Sequence, residues 1–268
     1  MEFTSPIHLV IGNFDGVHVG HQTLIRMACK QAHALGQSVV VYTFNPHPRQ
    51  IIPEAHRLQL IYSVQERCTL LRQLGCDFIW VQTFTNQLRL QTPEQFFQAI
   101  QQVFPTLAAV YVGDQYRFGY RQQGDANTLR ALCERTKSVC LCVCPSVFDA
   151  AGRICSTRIR AALQQGQLSE ANRLLGQPYH RYGKVVLKGT AGYAFELKDQ
   201  DASVDETTAI SSLVGCLLKP GTYVGHFDCQ QQQMRVRIQV HSDQRIGLLD
   251  CNPVSLNQLG VLVFDDSQ

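Results

Sequence analysis

Two histidines in a glycine-rich segment near the start of the chain are the strongest candidates for chemistry. His18 and His21 lie within residues 12–21, between a short apolar run, Ile7 to Ile11, and a stretch with helical character, Gln22 to Leu35. A strand that passes through such a turn into a helix directs backbone N–H groups and the positive end of the helix at one point, which suits a phosphate. The imidazoles add side-chain donors there, so we predict phosphate chemistry.

Two other interpretations of His18 and His21 stay open on these residues alone. A zinc site needs more ligands; His47 is the only obvious candidate, and no carboxylate spacing supports it. A purely structural role is the third alternative. We predict no direct ligation of a metal by protein side chains.

A second polar group lies at the start of another stretch with helical character. Ser156 and Thr157 lie just before the helix, where their hydroxyls would cap free N–H groups, and Arg158 and Arg160 follow. Hydroxyls and guanidinium groups at a helix N-terminus predict a polyphosphate site. An ordinary cap with surface arginines is the alternative.

Apolar, β-branched runs alternate with helix-like segments in the first part of the chain, which favours a parallel sheet covered on both faces. The predicted strands are Ile7–Ile11, Ser38–Phe44, Phe78–Val81, Ala109–Val112 and Val139–Cys144, and the predicted helices are residues 21–35, 64–75, 93–103 and 125–137. Ligands of such sheets bind beyond the carboxyl ends of the strands. Residues 12–21, Asn45–Pro48 and Gly113–Asp114 each follow a strand, so we expect these three motifs at one edge of the sheet.

The pattern changes to β structure after a boundary at Gln177–Tyr179, which two short predicted helices, residues 156–165 and 168–175, precede. The predicted strands beyond it are Lys184–Lys188, Leu213–Leu218, Tyr223–Asp228, Met234–Val240 and Arg245–Leu249, with loops at Gln200–Ser211 and Cys229–Gln233. We therefore divide the chain into an α/β domain, residues 1–180, and a small antiparallel, barrel-like β domain, residues 181–268.

Composition argues against several classes of protein. The formal net charge of the 268 residues is +3, and Lys and Arg are scattered, so nucleic-acid binding is not predicted. No stretch approaches the length of a membrane span, and residues 1–6 lack the regions of a signal peptide, so we expect a cytoplasmic protein with no membrane partner. The eleven cysteines are then expected to be thiols, and Cys140, Cys142 and Cys144 alternate as small residues of a buried strand would.

Residues 12–22 resemble the opening motif of the bacterial FAD synthetases, which carry the His-x-Gly-His signature of the nucleotidyltransferase superfamily. Three motifs similar to those of that family follow in the same order, Thr43–Pro48, Val112–Gly119 and Cys155–Arg160, and Asn172–Tyr179 is similar to its linker. Four ordered motifs make the resemblance specific. It implies an α/β, Rossmann-like nucleotidyltransferase domain with a parallel sheet, followed by the small β-barrel-like domain.

The resemblance implies adenylyl transfer from ATP to FMN, which gives FAD and pyrophosphate, with Mg²⁺ bridging the phosphates of ATP. A phosphate oxygen of FMN attacks the α-phosphorus, so catalysis depends mostly on alignment and charge stabilisation. The implied catalytic residues are His18, His21 and Arg160. Those implied to bind ATP are Gly12, Asn13, Phe14, Asp15, Gly16, His18, Gly20, His21, Ser156, Thr157 and Arg160. Those implied to bind flavin are Phe44, Asn45, Pro46, His47, Pro48, Gly113, Asp114, Gln115 and Phe118.

Parts of these motifs depart from the family's pattern. The third motif reads Gly-Asp-Gln-Tyr at residues 113–116, where the family has Gly-Glu-Asp/Asn-Phe, and Cys155 replaces a serine. The contacts made at residues 113–116 are therefore the least secure part of the resemblance. Plain core packing is the alternative for the apolar flavin candidates, which are Phe44, Pro46, Pro48 and Phe118.

The β domain departs further. In bifunctional members of the family it is a riboflavin kinase with a Gly-Phe-Pro-Thr-Ala-Asn stretch that serves Mg-ATP. The frame Tyr182–Gly189 is recognisable, but Gly192–Leu197 reads Gly-Tyr-Ala-Phe-Glu-Leu, so we expect no riboflavin kinase activity. The alternatives are a bifunctional enzyme in which Glu196 replaces the lost residues, a non-catalytic flavin- or nucleotide-binding protein, and a nucleotidyltransferase with another acceptor. The expected partners are ATP, FMN and apoflavoproteins that receive FAD.

Overall fold

The computed structural model describes residues 3–52, 58–136, 138–188, 192–197, 216–229, 232–249 and 259–266. The chain divides into two compact units: unit 1 comprises residues 1–58 and 68–153, and unit 2 comprises residues 59–67 and 154–268. The two helices between residues 156 and 175 therefore belong to the same unit as the β structure that follows them. The functional boundary at residue 180 stays a prediction.

Unit 1 is built on a five-stranded sheet, which confirms the predicted α/β class. The strands are β1 (Ile7–Ile11), β2 (Ser38–Asn45), β3 (Phe78–Thr83), β4 (Leu107–Gly113) and β5 (Cys140–Cys144). They are parallel and lie in the order β3-β2-β1-β4-β5. β1 therefore lies between β2 and β4, and the three strands that precede the candidate motifs are neighbours.

Helices connect the strands of this sheet. They are α1 (Val19–Ala34), α2 (Pro48–Ile51), α3 (Val64–Gln73), α4 (Asn86–Arg89), α5 (Pro93–Val103) and α6 (Ala126–Thr136), with a 3₁₀ turn at Tyr120–Gln122 and a hairpin of β6 (Phe148–Asp149) and β7 (Gly152–Arg153). The sequence did not predict α2 and α4, because a four-residue helix is too short to show a 3.6-residue pattern. Among the described helices, none is long and apolar enough to cross a membrane.

One part of the core of unit 1 lies between the sheet and the helices α5 and α6. Phe96 packs against Tyr42 and Phe44 of β2, with ring centroids 6.3 and 6.5 Å apart. Phe97 and Ile100 of α5 belong to the same buried cluster. The sheet therefore gives a rigid base to the loops that leave its carboxyl edge.

The structure corrects the prediction that Cys140, Cys142 and Cys144 lie in a buried strand. Cys144 is buried, but Cys142 is half-buried and Cys140 is exposed, so the strand is buried only at its end. The reason is its place at the edge of the sheet, where only one neighbouring strand, β4, covers it.

Unit 2 begins with two helices and ends in a closed barrel. α7 (Ser156–Gln165) and α8 (Leu168–Leu175) each end at a glycine with positive φ, Gly166 and Gly176. The barrel strands are β8 (His180–Lys188), β9 (Gly192–Leu197), β10 (Gly221–Cys229), β11 (Gln232–Val240), β12 (Ile246–Leu249) and β13 (Leu259–Phe264). The order β10-β11-β12-β9-β8-β13 is antiparallel and closed, which confirms the predicted barrel.

The strand predictions for unit 2 were less accurate than those for unit 1. β9 and β13 were not predicted as strands, and the described part of the predicted strand 213–218, Cys216–Leu218, is not a strand. The backbone N–H of Leu217 instead approaches the Tyr179 hydroxyl, at 3.5 Å. The predicted loop at Gln200–Ser211 and the tip of the predicted 229–233 hairpin lie outside the described residues.

Candidate active site

Residues 12–18, called here the β1–α1 turn, are bound to β2 at their first two residues. The backbone N–H of Gly12 donates to the carbonyl of Tyr42 at 3.1 Å. The hydroxyl of Thr43 donates to the carbonyl of Asn13 at 3.2 Å. The turn therefore leaves the sheet from a fixed position.

The middle of the turn has strained backbone. Phe14 and Val17 have φ values of 51° and 41°, and Gly16 has a φ of 85°. The left-handed region is costly for residues with a Cβ, most of all for a β-branched one such as Val17. Asp15 is 2% exposed, so the turn is also largely buried. Such strain persists only where surrounding contacts hold it, and it is often found at functional sites.

Gly12 has a role that its sequence context did not indicate. A Cβ at Gly12 would lie 2.8 Å from Cζ of Phe14, whose ring is 1% exposed. The ring of Phe14 therefore gives a reason within the fold for a glycine at residue 12. Only Gly16 uses the conformational freedom of glycine in this turn.

His18 and His21 lie together at the N-terminus of α1. His18 is the N-cap, and its Nδ1 accepts a hydrogen bond from the backbone N–H of His21 at 3.4 Å. The two rings stack with centroids 3.6 Å apart. Because Nδ1 of His18 accepts, a neutral ring carries its proton on Nε2, an assignment that follows from the hydrogen bond. His18 is thus set to donate through Nε2 beside the positive end of the helix.

The turn lies at the point where the strand order reverses. β2 lies on one side of β1 and β4 on the other, so the connections after β1 and after β4 leave toward opposite sides of the sheet. Crevices at such switch points are where open α/β sheets bind their ligands. The predicted convergence of three motifs at one sheet edge is confirmed by the adjacency of these strands.

The second motif forms a short cap after β2. The Asn45–Pro46 peptide bond is cis. His47 is 5% exposed, caps α2, and accepts from the backbone N–H of Arg49 through Nδ1 at 3.1 Å. Among the described residues, no group of three or more His, Cys, Asp and Glu side chains could hold a metal ion. This geometry gives His47 a structural task, while Asn45, Pro46 and Pro48 are half-buried at the sheet edge.

Two of the apolar flavin candidates lie in the core. Phe44 is 7% exposed and meets Phe84 edge-on, with ring centroids 5.7 Å apart. Phe118 is 6% exposed and stacks on Tyr116 at 5.3 Å. Their burial favours the core-packing alternative for both rings.

Asp114, in the third motif, connects two loops at the sheet edge. Its carboxylate accepts from the backbone N–H of Ser146 at 3.0 Å and from the Ser146 hydroxyl at 2.5 Å. Desolvation opposes ionisation, but these hydrogen bonds outweigh it and hold the pKa of Asp114 below its ordinary value. The ionised side chain of Asp114 therefore joins the loop after β4 to the loop after β5, whereas Gln115 beside it is exposed.

The fourth motif belongs to unit 2, and its capping differs from the prediction. Cys155 is the N-cap of α7 and makes no side-chain hydrogen bond to the first turn, so Ser156 and Thr157 lie inside the helix rather than before it. The reason is backbone conformation: Cys155 has the extended φ and ψ of a cap. Thr157 is exposed and Ser156 is half-buried.

The two arginines of this motif have different partners. Arg158 pairs with Glu170 of α8, with Nη2 2.6 Å from Oε1. Arg160 donates from Nε to the carbonyl of Gln59 at 2.9 Å. Arg158 is therefore a link between α7 and α8, and the stem of Arg160 is fixed by the backbone of residue 59.

Gln22 and Arg26 are residues of the site that sequence reasoning missed. The side chain of Gln22 donates to the carbonyl of Val17 at 3.0 Å, and Arg26 donates to its Oε1 at 3.2 Å. The sequence shows that Gln22 directly follows His21 and that Arg26 lies one helical turn later. This spacing does not reveal that the Gln22 side chain bonds to the carbonyl of Val17, which precedes the helix.

Comparisons with known proteins agree with this geometry. Residues 1–158 match the model of a protein family described as FAD synthetase. The chain is 29% identical over 211 residues to a bifunctional riboflavin kinase/FMN adenylyltransferase of Listeria monocytogenes, covering 76% of this chain and 65% of that protein. It is 31% identical over 181 residues to a protein of the same organism named FAD synthetase, covering 66% of this chain and 71% of that one.

A solved structure is similar over both units. The crystal structure of a protein described as a macrolide-efflux protein from Streptococcus pneumoniae has a TM-score of 0.80 and 26% identity, and the match covers 98% of this chain and 94% of that one. The chain spans less than two thirds of the length of the first bifunctional relatives that it matches, between 58% and 65%.

Proposed function

Because the chain belongs to the FAD synthetase family, we propose that it transfers the adenylyl group of ATP to FMN and releases FAD and pyrophosphate. The observation that supports this most is the stacked pair His18 and His21 at the N-terminus of α1, at the switch point of a parallel sheet. Imidazole and backbone donors at a helix N-terminus suit a phosphate, which supports the proposal.

The reaction needs little proton chemistry from the protein. A phosphate oxygen of FMN, already anionic, attacks the α-phosphorus of ATP and forms the new P–O bond. The bond from that phosphorus to the bridging oxygen breaks, and its electron pair leaves with pyrophosphate. His18 and His21 donate to the α-phosphate as negative charge develops there, and the N–H groups of the first turn of α1 add a fixed dipole.

The polyphosphate contacts are assigned from the fourth motif. Thr157 and Arg160 bind the β- and γ-phosphates in this proposal and stabilise the departing pyrophosphate. Support comes from their place at the start of α7, Thr157 in its first turn and Arg160 in its second, beside the positive end of the helix. Variants of Thr157 and Arg160 are the test of this part of the proposal.

Mg²⁺ fits the proposal as an ion that arrives with ATP. It usually takes its oxygen ligands from substrate phosphates and water, with few from protein. Bound there, it would supply charge neutralisation along the phosphates.

The flavin contacts proposed are those at the carboxyl edge of the sheet. Asn45, Pro46 and Pro48 follow β2, and Gly113 and Gln115 follow β4. We also propose a cytoplasmic location and hand-over of FAD to apoflavoproteins, since the product is a cofactor for other enzymes.

Riboflavin kinase activity is not part of the proposal. The barrel strand β9 carries Phe195 and Leu197 where the kinase motif would supply Thr and Asn. Glu196, the residue considered as a substitute, is half-exposed and pairs with Lys184, with Oε2 3.4 Å from Nζ. Its carboxylate therefore takes part in an ion pair with Lys184 of the neighbouring barrel strand.

Two assays run side by side test the function. The purified chain is incubated with FMN, ATP and Mg²⁺, and separately with riboflavin, ATP and Mg²⁺, and the flavins are separated by chromatography. We expect FAD in the first reaction and no FMN in the second. FMN binding without FAD formation would contradict the proposal in favour of a binding protein, and FMN from riboflavin would contradict the loss of kinase activity.

A further inference from the structure

We propose that Gln22 is a positioning residue: its side-chain amide holds the carbonyl of Val17 and thereby fixes the backbone that presents His18 to the nucleotide. The inference rests on the proposed adenylyl transfer at His18 and His21. It assigns a task to a residue that touches no reacting atom.

The backbone at Val17 has a conformation that needs support from its surroundings. Val17 immediately precedes the cap residue His18 and has a φ of 41°. A β-branched residue adopts this conformation only when its surroundings hold it. Its backbone N–H donates to the carbonyl of Phe14 at 3.0 Å, which closes the turn on one side. A second contact is needed at the carbonyl of Val17, because the next peptide carries His18.

Gln22 supplies that second contact. Its Nε2 donates to the carbonyl of Val17 at 3.0 Å, and its backbone N–H donates to the carbonyl of His18 at 2.9 Å. The residue is 8% exposed, so water competes little for these bonds. One residue thus binds two successive carbonyls, that of the peptide unit joining Val17 to His18 and that of the next peptide unit.

Arg26 fixes the orientation of the Gln22 amide. Its Nη1 donates to Oε1 of Gln22 at 3.2 Å. A guanidinium group only donates, so the amide oxygen must face Arg26 and the amide NH₂ must face Val17. The amide therefore cannot flip without losing both bonds.

The consequence for catalysis is geometric. Donors that stabilise developing charge must lie at the position that the charge occupies, and a displacement of about 1 Å can lower a rate about 100-fold. Without the Gln22 amide, the strained peptide at Val17 relaxes and moves the imidazole of His18. FMN binding depends on other segments in the proposed function, so it changes little.

The test uses two substitutions in the full chain. Gln22→Met keeps the length of the side chain and removes its polar group; Gln22→Glu keeps the acceptor for Arg26 and removes the donor to Val17. We expect kcat for FAD formation to fall about 10- to 100-fold in both, with the KM for FMN nearly unchanged. Wild-type kcat in both variants would overturn the inference.

Thr23→Val is the matched control. Thr23 is the next residue of α1, and its hydroxyl donates to the carbonyl of Val19 at 2.9 Å on the exposed face. The Thr23→Val variant therefore also loses one hydrogen bond from a side chain to the backbone near the start of α1. We expect its kcat to equal that of the wild type. An equal loss in Thr23→Val would show that general weakening of the helix start is responsible, and would overturn the positioning role.

A readout without turnover separates this inference from the proposed function. If the wild-type chain forms no FAD, the proposed function fails, and the position of His18 is followed by the NMR signals of its imidazole. We expect Gln22→Met to shift the signals of His18 and to leave those of His33, at the far end of α1, unchanged. Unshifted His18 signals in a folded variant would overturn the positioning role. If Gln22→Met does not fold, two other variants are measured in the same way. Gln22→Glu keeps a polar side chain at residue 22, and Arg26→Met keeps the hydrogen bond from Gln22 to Val17.

Discussion

The imidazole rings of His18 and His21 lie face to face, with their centroids 3.6 Å apart and their planes inclined by 18°. The ring of Phe14 meets His21 edge-on, at a centroid distance of 5.3 Å. Each ring thus restrains its neighbour, and the two histidines keep a fixed separation at the start of α1. Because they are coupled in this way, we expect them to act as one group in catalysis.

Substitution of either histidine should therefore abolish most of the turnover. We expect His18→Ala and His21→Ala to lower kcat for FAD formation about 100-fold or more, since each removes a donor to the charge that develops on the α-phosphate. The double variant should lose much less than the product of the two single losses, because the residues act as a unit. The measurement is initial rate of FAD formation by chromatography.

His33→Ala is the control for these variants. His33 lies in the last turn of the same helix, is exposed, and bonds to Asp77 at 2.9 Å. We expect its turnover to match that of the wild type. Multiplicative losses in the double variant would contradict the coupling of the two rings.

The two arginines of the fourth motif should separate into a substrate contact and a structural link. Arg160→Gln should raise the KM for ATP and lower kcat about tenfold or more, because the guanidinium binds phosphate in the proposed function. Arg158→Gln should leave both constants near their wild-type values and lower stability by about 1 kcal/mol or less, since its partly exposed pair with Glu170 is screened by water. Steady-state kinetics and thermal unfolding distinguish them; equal kinetic losses would contradict the assignment.

Glu66 and Arg181 form a buried ion pair within unit 2. Nε of Arg181 lies 3.0 Å from Oε1 of Glu66, and the carboxylate also accepts from the backbone N–H groups of Ser63 and Tyr182 at 2.7 and 2.8 Å. Glu66→Gln leaves a buried guanidinium without its counter-charge, so we expect the free energy of unfolding to fall by about 3–5 kcal/mol. Glu66→Gln/Arg181→Met should recover part of this loss in denaturant unfolding.

The same pair predicts a pH dependence of stability. Desolvation opposes ionisation of Glu66, but the charge of Arg181 and the hydrogen bonds to the carboxylate outweigh it and hold its pKa below the ordinary value. A pKa lowered by folding stabilises the fold above the unfolded-state value of about 4.3, and this contribution is lost as the pH falls through the folded-state pKa. We therefore expect the free energy of unfolding to decline below about pH 5, and less steeply in Glu66→Gln/Arg181→Met.

The five strands and the four longer helices of unit 1 were predictable because their signals are local. Apolar runs such as Ile7–Ile11 and the histidines that follow them need only sequence spacing to be recognised, and the parallel order then brings their ends to one edge. β9 and β13 were missed because short strands in a small barrel show little alternation, and β9 includes Gly192 while β13 includes Gly260.

The sequence predicted where the candidate residues lie relative to the strands and helices, whereas several of their side-chain contacts could not be predicted. Phe44 and Phe118 were considered for flavin contact, yet both lie in the core, because their rings are needed between the sheet and its neighbouring segments. His47 was considered as a ligand, and it caps a helix too short to predict. The hydrogen bond from Gln22 to Val17 depends on the left-handed φ of Val17, and a valine in the sequence does not indicate such a φ.

Gly12→Ala tests the contact that explains this glycine. The new Cβ would lie 2.8 Å from Cζ of Phe14, and the ring is too buried to move away freely. We expect overpacking to cost about 1–3 kcal/mol of unfolding free energy and to displace the β1–α1 turn, so kcat for FAD formation falls as well. Gly113→Ala is the control for stability, because a Cβ there meets no atom within 4 Å. Phe14→Leu combined with Gly12→Ala removes the clashing end of the ring and should restore part of the stability; if the double variant is no more stable than Gly12→Ala, the ring of Phe14 is not the reason for a glycine at residue 12.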